Sequence, residues 1–159
     1  MKKKMKSILS LALASVALVG SLGISGQAHA DNDFRGWPTL RQGSSGGYVR
    51  ALQSNLWASG YQSTVGSIDG SFGAGVTSAV KAFQSREGLA SDGVVGSGSW
   101  NAMNKYVTTV VTDYEFYFWG PHSTTYYVSY VHPGGNTSTL NYYLQYKSNS
   151  STVNSGRVY

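Results

Sequence analysis

Two histidines, His122 and His132, each beside a proline, lie in the last third of the chain, with Asp113 and Glu115 a few residues before them. Imidazoles and carboxylates are the material of a zinc hydrolase, which needs three protein ligands, a general base and a pocket. Two of each, scattered through turn-rich sequence, fall short of that set, and surface polarity accounts for them more simply. The chain has no cysteine, which removes thiolate chemistry, disulfide stapling and attachment through a modified cysteine. A second place for a metal is the pair of Asp-Gly turns at 69–70 and 92–93. Neither is followed by carboxylates at the positions an EF-hand loop uses. The expectation is no catalytic residue, no metal and no cofactor, with the two turns serving as helix starts.

Those turns open one motif stated twice, Asp69-Gly70-Ser71-Phe72-Gly73 and Asp92-Gly93-Val94-Val95-Gly96. Asp hydrogen-bonds the backbone two residues on, and Gly reaches positive φ at little steric cost. Phe72 and Val95 are then apolar anchors, and the closing glycine lets a helix begin. Between the copies Val76, Ala79, Val80 and Phe83 recur at helical spacing, which predicts a helix over Ala74–Arg86 closed by Gly88-Leu89. Upstream, Val49, Leu52 and Leu56 predict a helix over Tyr48–Ser59, with Gly60 as its left-handed C-cap and Gln62 to Ile68 as a connection. Downstream, Ser97 or Ser99 is expected to cap a third, short helix carrying Trp100 and Met103. Three short helices with Trp, Phe, Leu and Val inward make one small bundle.

The first thirty residues read as a signal peptide. Lys2, Lys3, Lys4 and Lys6 make a basic start, residues 8–24 are apolar and small, and Ala28-His29-Ala30 is an A-x-A cleavage signal that places the mature N-terminus at Asp31. Nothing later is long and apolar enough to span a bilayer, so no membrane contact is expected once the signal is removed. Of 12 Lys plus Arg and 7 Asp plus Glu, four lysines leave with the signal, so the remainder is nearly neutral. No basic patch of the kind phosphate recognition needs is left, and nucleic acid is not an expected partner. An exported chain without disulfides fits a bacterial protein that is secreted, extracellular or associated with the cell wall.

From Tyr106 onward the composition changes: ten of the twelve tyrosines lie there. The runs 107–111, 114–119, 125–131 and 140–147 are β-branched and aromatic, as strands are, and turn formers separate several of them. Asn136-Thr137-Ser138 and Asn149-Ser150-Ser151 match glycosylation acceptors and are read as plain turns. In the last strand Leu140, Tyr142, Leu144 and Tyr146 share one face, and Asn141, Tyr143, Gln145 and Lys147 the other, which predicts a half-buried antiparallel meander. At about fifty residues it is expected to lean on the helical part or on a second copy. The fold class is thus α+β in sequential segments: signal peptide 1–30, helical domain 31–106, tyrosine-rich β segment 107–159.

The motifs from Leu40 to Met103 resemble those of the small peptidoglycan-binding domain of bacterial cell-wall hydrolases. They run Gly43-Ser44-Ser45-Gly46, then Val49 to Gln53, then Leu56 to Tyr61, then Asp69 to Gly73. Ala79 to Gln84, Gly88-Leu89, Asp92 to Gly96 and Trp100 complete the series. The family tends to place Pro and Thr after each Asp-Gly turn. This chain has Ala74 and Val76 at the first and Ser97 and Ser99 at the second, which, with Gly75 and Gly98, is expected to loosen both helix starts.

The resemblance implies peptidoglycan as the partner. Its sugars present apolar faces and its peptides present amides and carboxylates, so a site for it wants aromatic platforms and a few hydrogen-bonding groups in a shallow groove. The outward candidates are Tyr48, Arg50, Gln53, Trp57 and Tyr61, around the first helix and its exit, with a core position as the alternative for Tyr61 and hydrogen bonding to loop backbone as the alternative for Gln53. Three readings follow. The first is a secreted, non-catalytic wall-binding protein whose tail binds a protein or glycan partner. The second is a small wall hydrolase using His122, His132, Asp113 and Glu115. The third is a structural or inhibitory protein binding a protein partner through the tyrosine-rich sheet.

Overall fold

The computed structural model describes residues 33–109 and 114–159. The expected cleavage point and Asp113 lie outside the described residues. Four helices precede a five-stranded sheet, as the sequential α+β reading anticipates. They are α1 (Gly47–Ala58), α2 (Gln62–Val65), α3 (Ala74–Arg86) and α4 (Ser97–Asn104). The short α2 falls in the stretch read as a connection.

α1 and α3 end alike. The Gly60 N–H donates to the Trp57 carbonyl and the Tyr61 N–H to the Leu56 carbonyl, and Gly88 and Leu89 do the same to Ser85 and Gln84. Both are Schellman ends with glycine in the left-handed region, φ 88° at Gly60 and 72° at Gly88. The helix starts differ from expectation. Gly46, Gly73 and Gly96 are the caps of α1, α3 and α4, and none receives a side-chain cap bond. Ser97 is the first residue of α4, while Ser99 turns inward to accept a bond from the Gln84 amide at 3.1 Å. Gly75 is not slack: a Cβ there would stand 2.6 Å from the Thr64 carbonyl oxygen, so its absence lets α3 pack on α2. Gly98 has nothing within 4 Å.

The sheet is an antiparallel meander in the order β1 (Val107–Thr109), β2 (Glu115–Phe118), β3 (Tyr126–Val131), β4 (Asn141–Tyr146) and β5 (Thr152–Arg157). Registers such as Phe116↔Tyr130↔Tyr142↔Gly156 put Phe116, Phe118, Val128, Tyr130, Tyr142 and Leu144 on one buried face. Leu140, Tyr142 and Leu144 face inward as their alternation predicts, but Tyr146 reaches the rim and is 37 % exposed.

The inner face packs on α1, so the two segments share one continuous hydrophobic core. Phe34, in the lead-in, lies at its centre. Its ring is 4.9–5.8 Å from those of Trp37, Trp100, Phe116, Phe118 and Tyr130. Such aromatic pairs contribute about 0.5–1.5 kcal/mol each beyond area burial. The Tyr130 hydroxyl donates to Asn55 Oδ1 at 2.8 Å, and its ring stacks on Phe116 at 4.6 Å and 9°. α1 approaches the sheet through small residues. A Cβ on Gly47 would collide with the carbonyls of Arg157 and Val158, and one on Gly120 with the carbonyl of Ala58.

Candidate functional site

The five candidates do not form one patch. Tyr48 and Trp57 stand nine residues apart on α1, roughly 14 Å along the axis. Tyr48, at the N-terminal end, is half-buried, edge-on to Trp37 at 5.2 Å and stacked on Tyr159 at 5.6 Å. Arg50 is exposed and lies along the first Asp-Gly turn, where a Cβ on Gly70 would meet its side chain at 3.1 Å.

Gln53 is not outward. It is 1 % exposed and holds the first turn from inside: its amide nitrogen donates to Asp69 Oδ1 (2.9 Å) and to the carbonyls of Ser67 and Ser71, while its oxygen accepts from Gly70 N–H (2.8 Å). The reason is that α1 is covered on two sides, by the other helices and by the sheet. Gln84 repeats the arrangement on the second turn, donating to Asp92 Oδ1 (2.7 Å) and the Val94 carbonyl and accepting from Gly93 N–H (2.9 Å). These bonds hold both carboxyls below the usual carboxylate range: for Asp69 the Gln53 amide is the main cause, for Asp92 the Val94 N–H. Tyr61 is also inside, 9 % exposed, with the Arg86 guanidinium 4.5 Å over its ring.

Trp57 is the candidate that borders a recess. A cleft of about 600 Å³ is lined by Trp57, Gly60, Gln62, Ser63, Gly66 and Ser67, where the Schellman turn hands α1 over to α2. The indole Nε1 donates to the Gly66 carbonyl at 2.9 Å, which fixes the ring's orientation. The ring lies 5.7 Å from that of Tyr126 on β3. One ring, one carboxamide, two hydroxyls and no charge suit a ligand that stacks and exchanges neutral hydrogen bonds. The polar run 62–67 directly after Tyr61 was the signal for Gln62, Ser63 and Ser67, and reading it as a connection hid it. A smaller recess of about 280 Å³ lies beside the second turn, lined by Gln84, Leu89, Asp92 and Ser97 among others.

Of the described residues of the hydrolase reading, Glu115 on β2 and His132 just after the neighbouring β3 lie at one end of the sheet, and His122 stands apart from them. His122 is exposed in the β2–β3 loop, while His132 follows β3 at its other end, about 20 Å away for six residues at about 3.3 Å each. His132 is buried with Nδ1 against the Thr139 carbonyl at 2.8 Å. Glu115 accepts the Tyr117 hydroxyl at 2.6 Å, which, with burial, pushes that phenol up to about 12. Among the described residues no group of three or more His, Cys, Asp or Glu could hold a metal ion, and no helix is long and apolar enough to cross a membrane.

Residues 45–103 match the family described as "Putative peptidoglycan binding domain", the family that the motifs resemble, and the Trp57 cleft lies inside that match. The zinc D-Ala-D-Ala carboxypeptidase of Streptomyces albus G is 40 % identical over 98 residues, covering 57 % of this chain and 38 % of its own. The N-acetylmuramoyl-L-alanine amidase CwlL of Bacillus licheniformis is 39 % identical over 64 residues, covering 40 % of this chain and 18 % of its own. The chain thus spans less than two fifths of the length of either relative. The match to the peptidoglycan-binding family falls wholly within the helical segment.

Proposed function

We propose that this is an exported, non-catalytic protein that docks on the bacterial cell wall, with the Trp57 cleft as the contact. The observation that carries the reading is the coincidence of an uncharged, aromatic-walled cleft with the segment that matches the peptidoglycan-binding family. Both relatives bear the names of wall enzymes. The reading keeps the shared segment as their anchoring part and places no reaction on it.

The test is co-sedimentation of the whole chain with insoluble sacculi, with release of soluble fragments followed in parallel. Binding is expected without release. It should change little between 0.1 and 1 M salt, although the Debye length falls from about 10 to about 3 Å, because stacking is barely screened. Trp57→Ala is expected to weaken binding roughly tenfold, equivalent to about 1.4 kcal/mol, and Arg50→Ala to leave it nearly unchanged. Released fragments would establish an enzyme. Binding lost at high salt, with Trp57→Ala neutral, would move the site elsewhere.

A further inference from the structure

The Trp57 cleft does not end at the helices. Behind the indole stands Tyr126, the first residue of β3, and 5.2 Å beyond it the ring of Tyr146, the last residue of β4. Tyr126 and Tyr146 are paired across the two strands. The Tyr126 hydroxyl faces both the Gln62 carboxamide, a wall of the cleft, and the Tyr146 hydroxyl. A second contact brings the sheet to the same rim: a Cβ on Gly60, another wall residue, would meet the His122 carbonyl of the β2–β3 loop at 3.4 Å. The rings of Trp57, Tyr126 and Tyr146 therefore make a continuous strip from helix to sheet, with Tyr126 buried as its floor and Tyr146 exposed at its outer end.

We propose that the tyrosine-rich sheet completes the wall-binding surface, with Tyr146 a ligand contact and Tyr126 positioning Trp57 and Gln62, so that a glycan strand lies across the junction of helix and sheet. The proposal rests on the wall-binding reading and names the part of the wall bound. Sugar rings present apolar faces that stack on aromatic rings, and their hydroxyl and N-acetyl groups match a carboxamide and serine hydroxyls. A stem-peptide carboxylate would call for a cation, and no Lys or Arg lines the cleft. The strip is also preorganised: the indole is fixed by the Gly66 carbonyl and backed by Tyr126, so little ordering cost is left for binding.

The experiment uses the full chain and two probes, sacculi and glycan strands stripped of stem peptides, with soluble stem peptide as competitor. Tyr146→Ala should weaken binding to both about fivefold or more, and Tyr146→Phe, which keeps the ring, should bind nearly as the unmodified protein does. Tyr114→Ala removes a comparably exposed tyrosine at the far end of the sheet and should change nothing. If Trp57→Ala weakens binding and Tyr146→Ala does not, the sheet is no part of the surface and the proposal falls alone. Competition by stem peptide, with no binding to stripped strands, overturns the ligand class. Failure of the unmodified protein to bind sacculi sinks the wall-binding reading itself, and this proposal with it.

Discussion

Gln53 and Gln84 show how a polar side chain can be structural while sitting among candidate contacts. Each closes an Asp-Gly turn by bonding its Asp, its Gly N–H and a neighbouring carbonyl. The turns themselves were plain in the sequence, because Asp-Gly states its backbone conformation directly. The inward aim of Gln53 was legible too, since it follows Val49 by four residues and precedes Leu56 by three, on the apolar face. Its carboxamide suits loop backbone as well as a ligand, and it serves the backbone. Gln53→Ala strips the buried Gly70 N–H of its partner and should cost about 1–3 kcal/mol in urea denaturation at pH 7, whereas exposed Arg50→Ala should stay within about 0.5 kcal/mol. The pH dependence has a definite sign. With both carboxyls lowered in the folded state, their contribution is complete above the unfolded value of about 3.9 and is lost as pH falls through the folded values. Gln53→Ala removes the main cause of the shift at Asp69, so its melting temperature should decline less steeply with acid than that of the unmodified protein.

α1 is the element on which both halves converge, and half of its role was hidden. The apolar positions Val49, Leu52 and Leu56 announced the face that meets the other helices. The face that meets the sheet is made of Gly47, Ala51, Ser54, Asn55 and Ala58, small or polar residues that no hydrophobic pattern marks. They serve closeness, with backbone meeting backbone at both ends of the helix. Gly120 has no positive φ, so the effect of Gly120→Ala is purely steric. Overpacking against the Ala58 carbonyl should cost about 1–3 kcal/mol, measurable as a lower melting temperature, and Gly134→Ala, with open space around it but positive φ, should act through backbone strain instead. The strand β5 escaped the sequence reading for a related reason. Its Gly156 lies opposite Tyr142, where a Cβ would press on that ring at 3.1 Å, so a residue that weakens the strand pattern is the one that fits.

The sequential reading of helices followed by strands was correct as order along the chain, and the short sheet does lean on the helical part, one of the two supports expected for it, but the residues that join them were not legible. Core contacts between residues as distant as Phe34 and Tyr130 leave no local trace. With one core, the chain should unfold in a single cooperative transition by both far-UV and near-UV signals. A piece ending at residue 106 leaves the sheet-facing side of α1, Phe34 included, open to water, and should show no cooperative melt. Two independent transitions in the intact chain would contradict this. The position of α1 also gives the molecule a direction. Tyr159 stacks on Tyr48 at one end of a helix about 18 Å long, and the Trp57 cleft opens at the other. On the proposed docking through the Trp57 cleft, a fluorophore or enzyme joined after Tyr159 departs from the opposite end of α1, which would make this chain an oriented carrier, with whatever it bears at that end held outward from the surface.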